Sequence, residues 1–378
     1  MKLLHLSDLH IGKRVNGYSM LEDQQYILKK ILELTEEEKP DGVIIAGDVY
    51  DKSVAPAEAV GLFDDFLVGL SELTPHTFII SGNHDSPERL AFGGRLMEKS
   101  GIHISPVYNG ELTPVSLNDR WGAVDVYMLP FVKPVNVRQF FPDEEITGYT
   151  DAVKTALTGL PLNKGNRNVL ITHQFVTGAE RCESEEISVG GSDNVDASVF
   201  EGFDYVALGH IHGAQNIGSE RIRYCGTPLK YSFSEANHKK SVTIVELGEK
   251  PSLTVRTIPL KPMRDMVNLR GSYDELVSRA FYESTSYRDD YTRITLTDEQ
   301  DIPDAMAKLR VIYNRLMKLD YDNSRTRGGV LQEEIKEIET KTPLQLFEDF
   351  YEKQNGVPMT REQSEFVLKL IEGMGEVF

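Results

Sequence analysis

Short apolar runs recur through the first two thirds of the chain, each bounded by turn residues: Leu3–Leu6, Val43–Ala46, Phe78–Ile80, Val126–Leu129, Val169–Ile171 and Val206–Leu208. Runs of this length, partly β-branched, predict buried strands. Between the first two lies Leu21–Glu38, where Ile27, Ile31 and Leu34 recur at helical spacing. Pro56–Leu73 separates the second and third in the same way. Such βαβ units favour an α/β sheet. Arg221–Cys225, Ser241–Leu247 and Leu253–Ile258 follow with short turns and predict a hairpin-rich β layer, and Pro259–Pro262 reads as a linker.

A smaller α+β unit is expected next. Asp265–Leu269, Thr292–Leu296 and Leu316–Tyr321 predict strands, and Ser272–Ala280 and Asp301–Arg310 predict helices. After Gly328-Gly329 the character changes: from Glu333 to Phe378 there are five Lys/Arg against eleven Asp/Glu. Two helices are signposted there, Thr342–Asn355 and Thr360–Met374. Thr342 with Gln345, and Thr360 with Gln363, match capping boxes, Pro343 suits a first helical position, and Gly356 suits a stop. The expected division is therefore 1–260, 261–327 and 328–378.

Composition narrows the function. With 40% apolar and 26% charged residues, the 378-residue chain is of ordinary globular type. Its 41 basic and 59 acidic residues leave a charge of −18, against the usual sign for a free-standing nucleic-acid binder. Two cysteines, Cys182 and Cys225, cannot make a disulfide framework, so a reducing compartment is expected. No apolar stretch is long enough to span a membrane, and the first residues are too polar for a signal peptide, so a cytoplasmic location with no membrane partner is expected.

The chemistry sits after the strands. Asp8 and His10 follow the first, Asp48 the second, Asn83-His84-Asp85 the third, His173 the fifth, and His210 and His212 the sixth. The carboxyl ends of strands in an α/β sheet converge on one crevice. Hard oxygens mixed with imidazoles, and no thiolate, fit manganese, iron or zinc better than calcium. Seven candidate ligands are too many for one ordinary first-row ion and suit two ions with a bridging carboxylate, an arrangement that serves phosphoester hydrolysis.

The ordered set D-x-H, G-D, G-N-H-D, a lone strand-end His and G-H-x-H resembles the calcineurin-like metallophosphoesterase superfamily. The segments Leu6–Gly12, Ser81–Leu90, His173–Val176, Phe203–His212 and Tyr224–Glu235 resemble one branch, the nuclease subunits of bacterial DNA-repair complexes. The resemblance covers the whole chain. It implies two packed β-sheets flanked by helices, a small capping domain and a helical, partner-binding tail. By motif, it assigns one ion to Asp8, His10, Asp48 and His212, and a second to Asp48, Asn83, His173 and His210, with Asp48 bridging. His84 is then the transition-state or leaving-group residue, and Asp85 is expected to orient its imidazole. The family's metal is usually manganese, other divalent ions being possible. Its activities are 3′→5′ exonuclease action on duplex DNA and endonuclease action on single strands and hairpins, alongside an SMC-like ATPase docked on the tail.

Some relatives carry a His three residues after the bridging Asp, where this chain has Asp51. Phosphoprotein phosphatases carry Arg where Lys52 stands. The alternative activity is a phosphoesterase acting on small or protein phosphoesters. Lys13, Arg14, Lys52 and Arg89 follow the metal motifs and are candidate DNA contacts. From Ala305 to Val330 six Lys/Arg face two Asp, a further candidate DNA-guiding stretch. In Pro56–Leu73 the apolar residues span roughly 160° of the helix, wider than a sheet-facing stripe needs. The surplus, with the family's habit of dimerising, predicts a homodimer.

Overall fold

The structure, a computed structural model, describes residues 1–185, 193–327, 342–355 and 357–374. It divides into two compact units, residues 1–185 with 194–321 and residues 186–193 with 322–378. Gly328-Gly329, the stretch 333–341 and Gly356 lie outside the described residues.

In chain order the first unit lays down β1 (Lys2–Leu6), α1 (Leu21–Glu38), β2 (Gly42–Ala46), α2 (Ala57–Leu73), β3 (Thr77–Ile80), β4 (Ile102–Ile104), β5 (Val115–Asp119) and β6 (Gly122–Leu129). It continues with α3 (Tyr149–Leu157), β7 (Arg167–His173), β8 (Tyr205–Gly209), β9 (Gln215–Ile217), β10 (Ser219–Tyr224), β11 (Ser241–Leu247) and β12 (Leu253–Pro259). Two six-stranded sheets result, ordered β12-β11-β1-β2-β3-β4 and β9-β10-β8-β7-β6-β5. β1 to β4 are mutually parallel, as are β6, β7, β8 and β10, and the hairpin strands β11, β12, β5 and β9 pair antiparallel.

Period-two alternation explains why the central strands read as continuous apolar runs. Leu3, Ile44, Phe78 and Ile80 face Val126, Val169, Ile171, Tyr205 and Ala207 in the core between the sheets. Their sequence neighbours Leu4, Leu6, Val43, Ile45 and Ile79 turn the other way, onto Ile27 and Ile31 of α1 and Phe63, Phe66 and Leu70 of α2. Leu170, Val206 and Leu208 likewise pack on Ala152 and Val153 of α3. Both faces of each central strand are covered, as expected of parallel sheets. The two packed sheets flanked by helices are the expected α/β architecture. The apolar arc of α2 divides: Ala59, Phe63, Phe66, Leu67 and Leu70 are buried, whereas Val60 and Val68 are 47% and 54% exposed.

The apolar pattern does not single out β4, β5 and β9. They are short or alternate weakly, and each sits at a sheet edge where one flank needs no apolar cover. α3 is a further element outside the expected set, although its buried residues Ala152, Val153, Ala156 and Leu157 do recur at helical spacing.

The smaller α+β portion forms a three-stranded parallel sheet of β13 (Met266–Gly271), β14 (Tyr291–Leu296) and β15 (Arg315–Tyr321), with α4 (Ala305–Arg310). The expected helix Ser272–Ala280 is instead two short ones, Tyr273–Leu276 and Arg279–Tyr282, because Ser278 is extended. The one expected from Asp301 starts late, after Asp304 takes a left-handed conformation at φ 54°. Pro259–Pro262 is not a free linker: Leu260 is buried and its N–H donates to the Lys240 carbonyl at 2.8 Å. Arg264 bonds Glu22 and Asp23 of α1 at 2.7 and 2.8 Å, and the Tyr291 hydroxyl donates to Asp23 at 2.7 Å. These bonds fix the small sheet against α1.

In the second unit α5 (Pro343–Asn355) and α6 (Arg361–Met374) carry both capping boxes. Gln345 N–H donates to Thr342 Oγ1 at 2.9 Å, and Thr342 N–H to Gln345 Oε1 at 2.8 Å. Thr360 and Gln363 repeat the exchange at 3.3 and 2.8 Å. Ser364 donates to Glu348 at 2.7 Å between the helices. Among the described residues no helix is long and apolar enough to cross a membrane.

Candidate metal centre

Seven residues expected to act together do converge, at the carboxyl ends of β1, β2, β3, β7 and β8. The loops that carry them are tightly wound. Asp8, His10, Asp48 and His210 all have positive φ, at 53°, 44°, 48° and 101°. Four non-glycine residues in this sparsely populated region hold strain that the surrounding bonds must stabilise. Asp8 N–H donates to the Gly47 carbonyl at 3.0 Å and His10 N–H to the Asp48 carbonyl at 2.9 Å, tying the first two loops together. His210 N–H donates to Asp8 Oδ1 at 3.0 Å, which draws in the loop after β8. Gly82 and Gly209 are needed for close approach rather than for turning. A Cβ on Gly209 would lie 1.8 Å from the Ala46 carbonyl oxygen, and one on Gly82 2.1 Å from Asp48 Oδ1.

Asp48 is the hub. Its Oδ1 accepts from His84 N–H at 2.9 Å. Its Oδ2 faces Nε2 of His173 at 3.2 Å, of His10 at 3.7 Å and of His84 at 3.9 Å. Asn83 Oδ1 lies 3.0 Å from His173 Nε2 and 2.9 Å from His210 Nδ1. On the other flank His10 Nε2 and His212 Nε2 are 3.2 Å apart. Asp8, His10 and His212 offer donor atoms close enough together to hold one ion, as do Asp8, Asp48 and His173.

The buried charges bear on what this arrangement could hold. His173 Nδ1 donates to the Ala46 carbonyl at 2.8 Å, so in a neutral ring Nε2 would point its lone pair at two oxygens. Burial opposes a charge on His173, but the Asp48 carboxylate outweighs it and lifts the pKa to about 9. Burial raises Asp8 to about 6 and pushes His10 and His210 well below the ordinary imidazole value. Asp48 stays well below the carboxylate range despite its burial, because His173 faces it. Two groupings of donor atoms would each suit a cation: the Nε2 atoms of His10 and His212, 3.2 Å apart, and His173 Nε2 with the oxygens of Asp48 and Asn83. The donor set thus fits divalent metal ions.

The expected helper Asp85 does something else. Its carboxylate accepts from the backbone N–H groups of Gly82, Val49 and Tyr50 at 2.9, 3.1 and 2.9 Å, locking the loop after β3 onto the loop after β2. The His84 imidazole is held instead by the Asp51 carbonyl, 3.1 Å from Nδ1. That contact leaves Nε2 facing the centre. Lys13 is likewise committed, to Asp51 at 2.6 Å. Arg14, Lys52 and Arg89 are exposed; Arg14 donates to the Gly17 carbonyl and Arg89 reaches the Ser53 carbonyl at 3.4 Å. A layer behind the ligands adds residues that no motif singles out: Gln24 donates to the His10 carbonyl at 2.7 Å, and the Tyr231 hydroxyl to the Leu9 carbonyl at 2.6 Å. Ser184, Glu185, Glu235 and Lys240 surround His212. Tyr231 and Glu235 fall within the resembling segment Tyr224–Glu235, but their roles, like those of the others, follow only from partners that the fold brings up.

Residues 1–214 match the calcineurin-like phosphoesterase family. The chain belongs to that family. Residues 262–355 match a family described as the type 5 capsule protein repressor C-terminal domain. The chain is 32% identical over 378 residues to the SbcD subunit of the SbcCD nuclease of Staphylococcus epidermidis, covering 98% of each. It is 33% identical over 380 residues to the protein of that name from Staphylococcus saprophyticus subsp. saprophyticus, covering 100% of this chain and 99% of that one. A solved dimetal phosphatase from Danio rerio is similar with a TM-score of 0.40 and 12% identity, over 68% of this chain and 95% of that one. The protein is a metal-dependent hydrolase of phosphoester bonds, of the SbcD type.

Proposed function

We propose that the protein is a DNA nuclease that uses two divalent ions, manganese by preference. It degrades duplex DNA 3′→5′ and opens single strands and hairpins, in a complex with an SMC-like ATPase, the SbcC-type partner that the name of the relatives' complex implies. The observation that carries the reading is Asp48 Oδ2, ringed by three imidazole nitrogens at 3.2–3.9 Å. One ion is assigned to Asp8, His10, Asp48 and His212, and the other to Asp48, Asn83, His173 and His210. When bound, such ions set positive charge against the phosphate oxygens and make water a competent nucleophile near neutral pH.

The chain's own groups do the rest. Asp48 places its two oxygens between the halves of the site. Asn83 sets its amide oxygen 3.0 Å from His173 Nε2 and 2.9 Å from His210 Nδ1, so the three would share one ion. His84 is more open than the buried histidines, with its side chain 16% exposed. Its Nδ1–H donates to the Asp51 carbonyl, so the doubly protonated ring is the form whose Nε2 would give a proton to the leaving oxygen. Arg14, Lys52 and Arg89 are the candidate phosphate contacts at the mouth, whereas Lys13 serves to hold Asp51. The division of labour is a catalytic portion to residue 260, a DNA-guiding portion to 327, and an ATPase-binding tail.

Two exposed apolar surfaces support the partner assignments. Val60 and Val68 of α2, at 47% and 54% exposure, offer a face for a second copy of the chain. Phe350 and Phe366 of the tail helices, 58% and 63% exposed, offer one for a partner's helices. The test is incubation of the protein with Mn²⁺ and, separately, labelled duplex, hairpin and nitrophenyl phosphodiester. Cleavage of all three that vanishes in Asp48→Asn supports the reading. Cleavage of the small diester alone would favour a non-nuclease phosphoesterase, and full activity of Asp48→Asn would remove Asp48 from the centre.

A further inference from the structure

Behind His212 lies a buried polar network. Glu235 closes a short 3₁₀ turn, Phe233–Glu235, and is completely buried. Its Oε1 accepts from Ser184 Oγ and from Tyr231 N–H at 3.2 Å, and stands 3.5 Å from His212 Nδ1. Its Oε2 accepts from Lys240 Nζ. Lys240 also donates to the His212 carbonyl at 2.9 Å and to Thr227 Oγ1 at 2.6 Å. Ser184 Oγ is 2.8 Å from His212 Nδ1. Glu185 Oε1 accepts the His212 N–H at 2.6 Å, so backbone and ring are held separately.

Counting protons settles the direction of these bonds. A carboxylate paired with an ammonium group is ionised and can only accept. The Ser184 hydroxyl proton therefore points to Glu235. With its one proton used, Ser184 Oγ can only accept at its contact with His212, so His212 Nδ1 must carry the hydrogen. A neutral ring then has a bare Nε2, the atom that faces His10 Nε2 at 3.2 Å. The nearby Cys182 Sγ, 3.0 Å from Ser184 Oγ, does not disturb this count, because burial keeps its thiol protonated and a donor.

We infer that Glu235 and Ser184 are positioning residues: Glu235 orients the Ser184 hydroxyl, which fixes the tautomer and aim of His212 as a metal ligand. The hydroxyl makes the shorter contact with the ring, 2.8 Å against 3.5 Å for the carboxylate itself. Lys240 keeps it ionised and ties the same histidine's carbonyl. The inference rests on the reading of His212 as a ligand.

The test is ¹⁵N-histidine NMR of the full-length, metal-free protein, followed by Mn²⁺ titration. The His212 signals are assigned by their loss in His212→Ala. The expected wild-type result is a protonated Nδ1 and a bare Nε2. Ser184→Ala should mix the tautomers and weaken one of the two ions by about 10–100-fold, as losses of outer-shell partners do, with the other ion unchanged. Ser184→Thr should restore both readouts. Glu235→Gln should show the same pattern as Ser184→Ala, which remains the decisive variant if the Gln protein does not fold. An unchanged tautomer and unchanged ion affinities in Ser184→Ala would overturn the positioning role while leaving His212 a ligand. Two ions bound at wild-type affinity by His212→Ala would instead overturn the ligand reading on which it rests.

Discussion

At the scale of single residues, the proposed mechanism separates groups that hold charge from groups that move a proton. It places His84 in the second kind: Asp51 fixes its Nδ1, and no carboxylate hydrogen-bonds its ring directly among the described residues. His84→Ala should lower phosphodiester hydrolysis about 10²–10⁴-fold, the usual contribution of a general acid or base, with close to two ions still bound. Elemental analysis showing one ion lost would make His84 a ligand. A second residue, His5, lies between the sheets, fully buried, with Nδ1 2.9 Å from the Tyr205 hydroxyl. Burial pushes its pKa down to about 3. As pH falls below about 6.5 the unfolded chain takes up this proton and the folded chain does not, so stability declines. By pH 5 the loss from this group is about 2 kcal/mol. Unfolding midpoints at pH 7 and pH 5 should therefore differ less for metal-loaded His5→Gln than for the unsubstituted protein.

At the scale of elements, the strands and helices explain why the ligands meet. Each central strand is apolar on both faces, so it must run through the middle of a sheet, and its carboxyl-terminal loop must emerge at one edge with the others. The tail is organised differently. α5 and α6 are held by their own capping boxes and by the Ser364–Glu348 bond. Helices of 13 and 14 residues are marginal alone and gain most of their stability from burying an apolar face. Truncation after Arg327 leaves the whole of the first unit, which ends at Tyr321. The truncated protein should keep Mn²⁺-dependent cleavage of a small phosphodiester and lose stable association with the ATPase. Stoichiometric co-purification of the truncated chain with the ATPase would show that docking lies elsewhere.

At the scale of the whole molecule, charge and exposed surface matter most. A net charge of −18 makes unaided, long-range attraction of DNA unfavourable, so productive binding depends on local cations and bound metal. The exposed apolar side of α2 points to self-association. Sedimentation at micromolar concentration should report about twice the 42.6 kDa chain mass, and Val68→Asp should return it to the monomer. A monomeric mass for the unsubstituted protein would assign that face to something other than a second copy.

Much of this was legible from the chain alone. α1 and β11 fall where the periodicity places them, because one stripe or a pair of faces must be buried. The capping boxes form because both partners lie within one turn of each other. The convergence of the candidate ligands was readable for the same reason: each sits directly after a strand, and strand ends in such sheets converge. What the tertiary structure decided are the pairings between distant segments. Asp85 meets three backbone N–H groups rather than the ring beside it in sequence, and Ser184 meets Glu235 and His212 across 51 and 28 residues. The division of α2 into a buried and an open side likewise depends on how far α1 and the sheet extend over it. Local pattern specifies which face of an element is buried. Which polar atom satisfies which other one is set only when the elements pack, because a buried donor or acceptor takes whatever partner the packed backbone brings within about 3 Å.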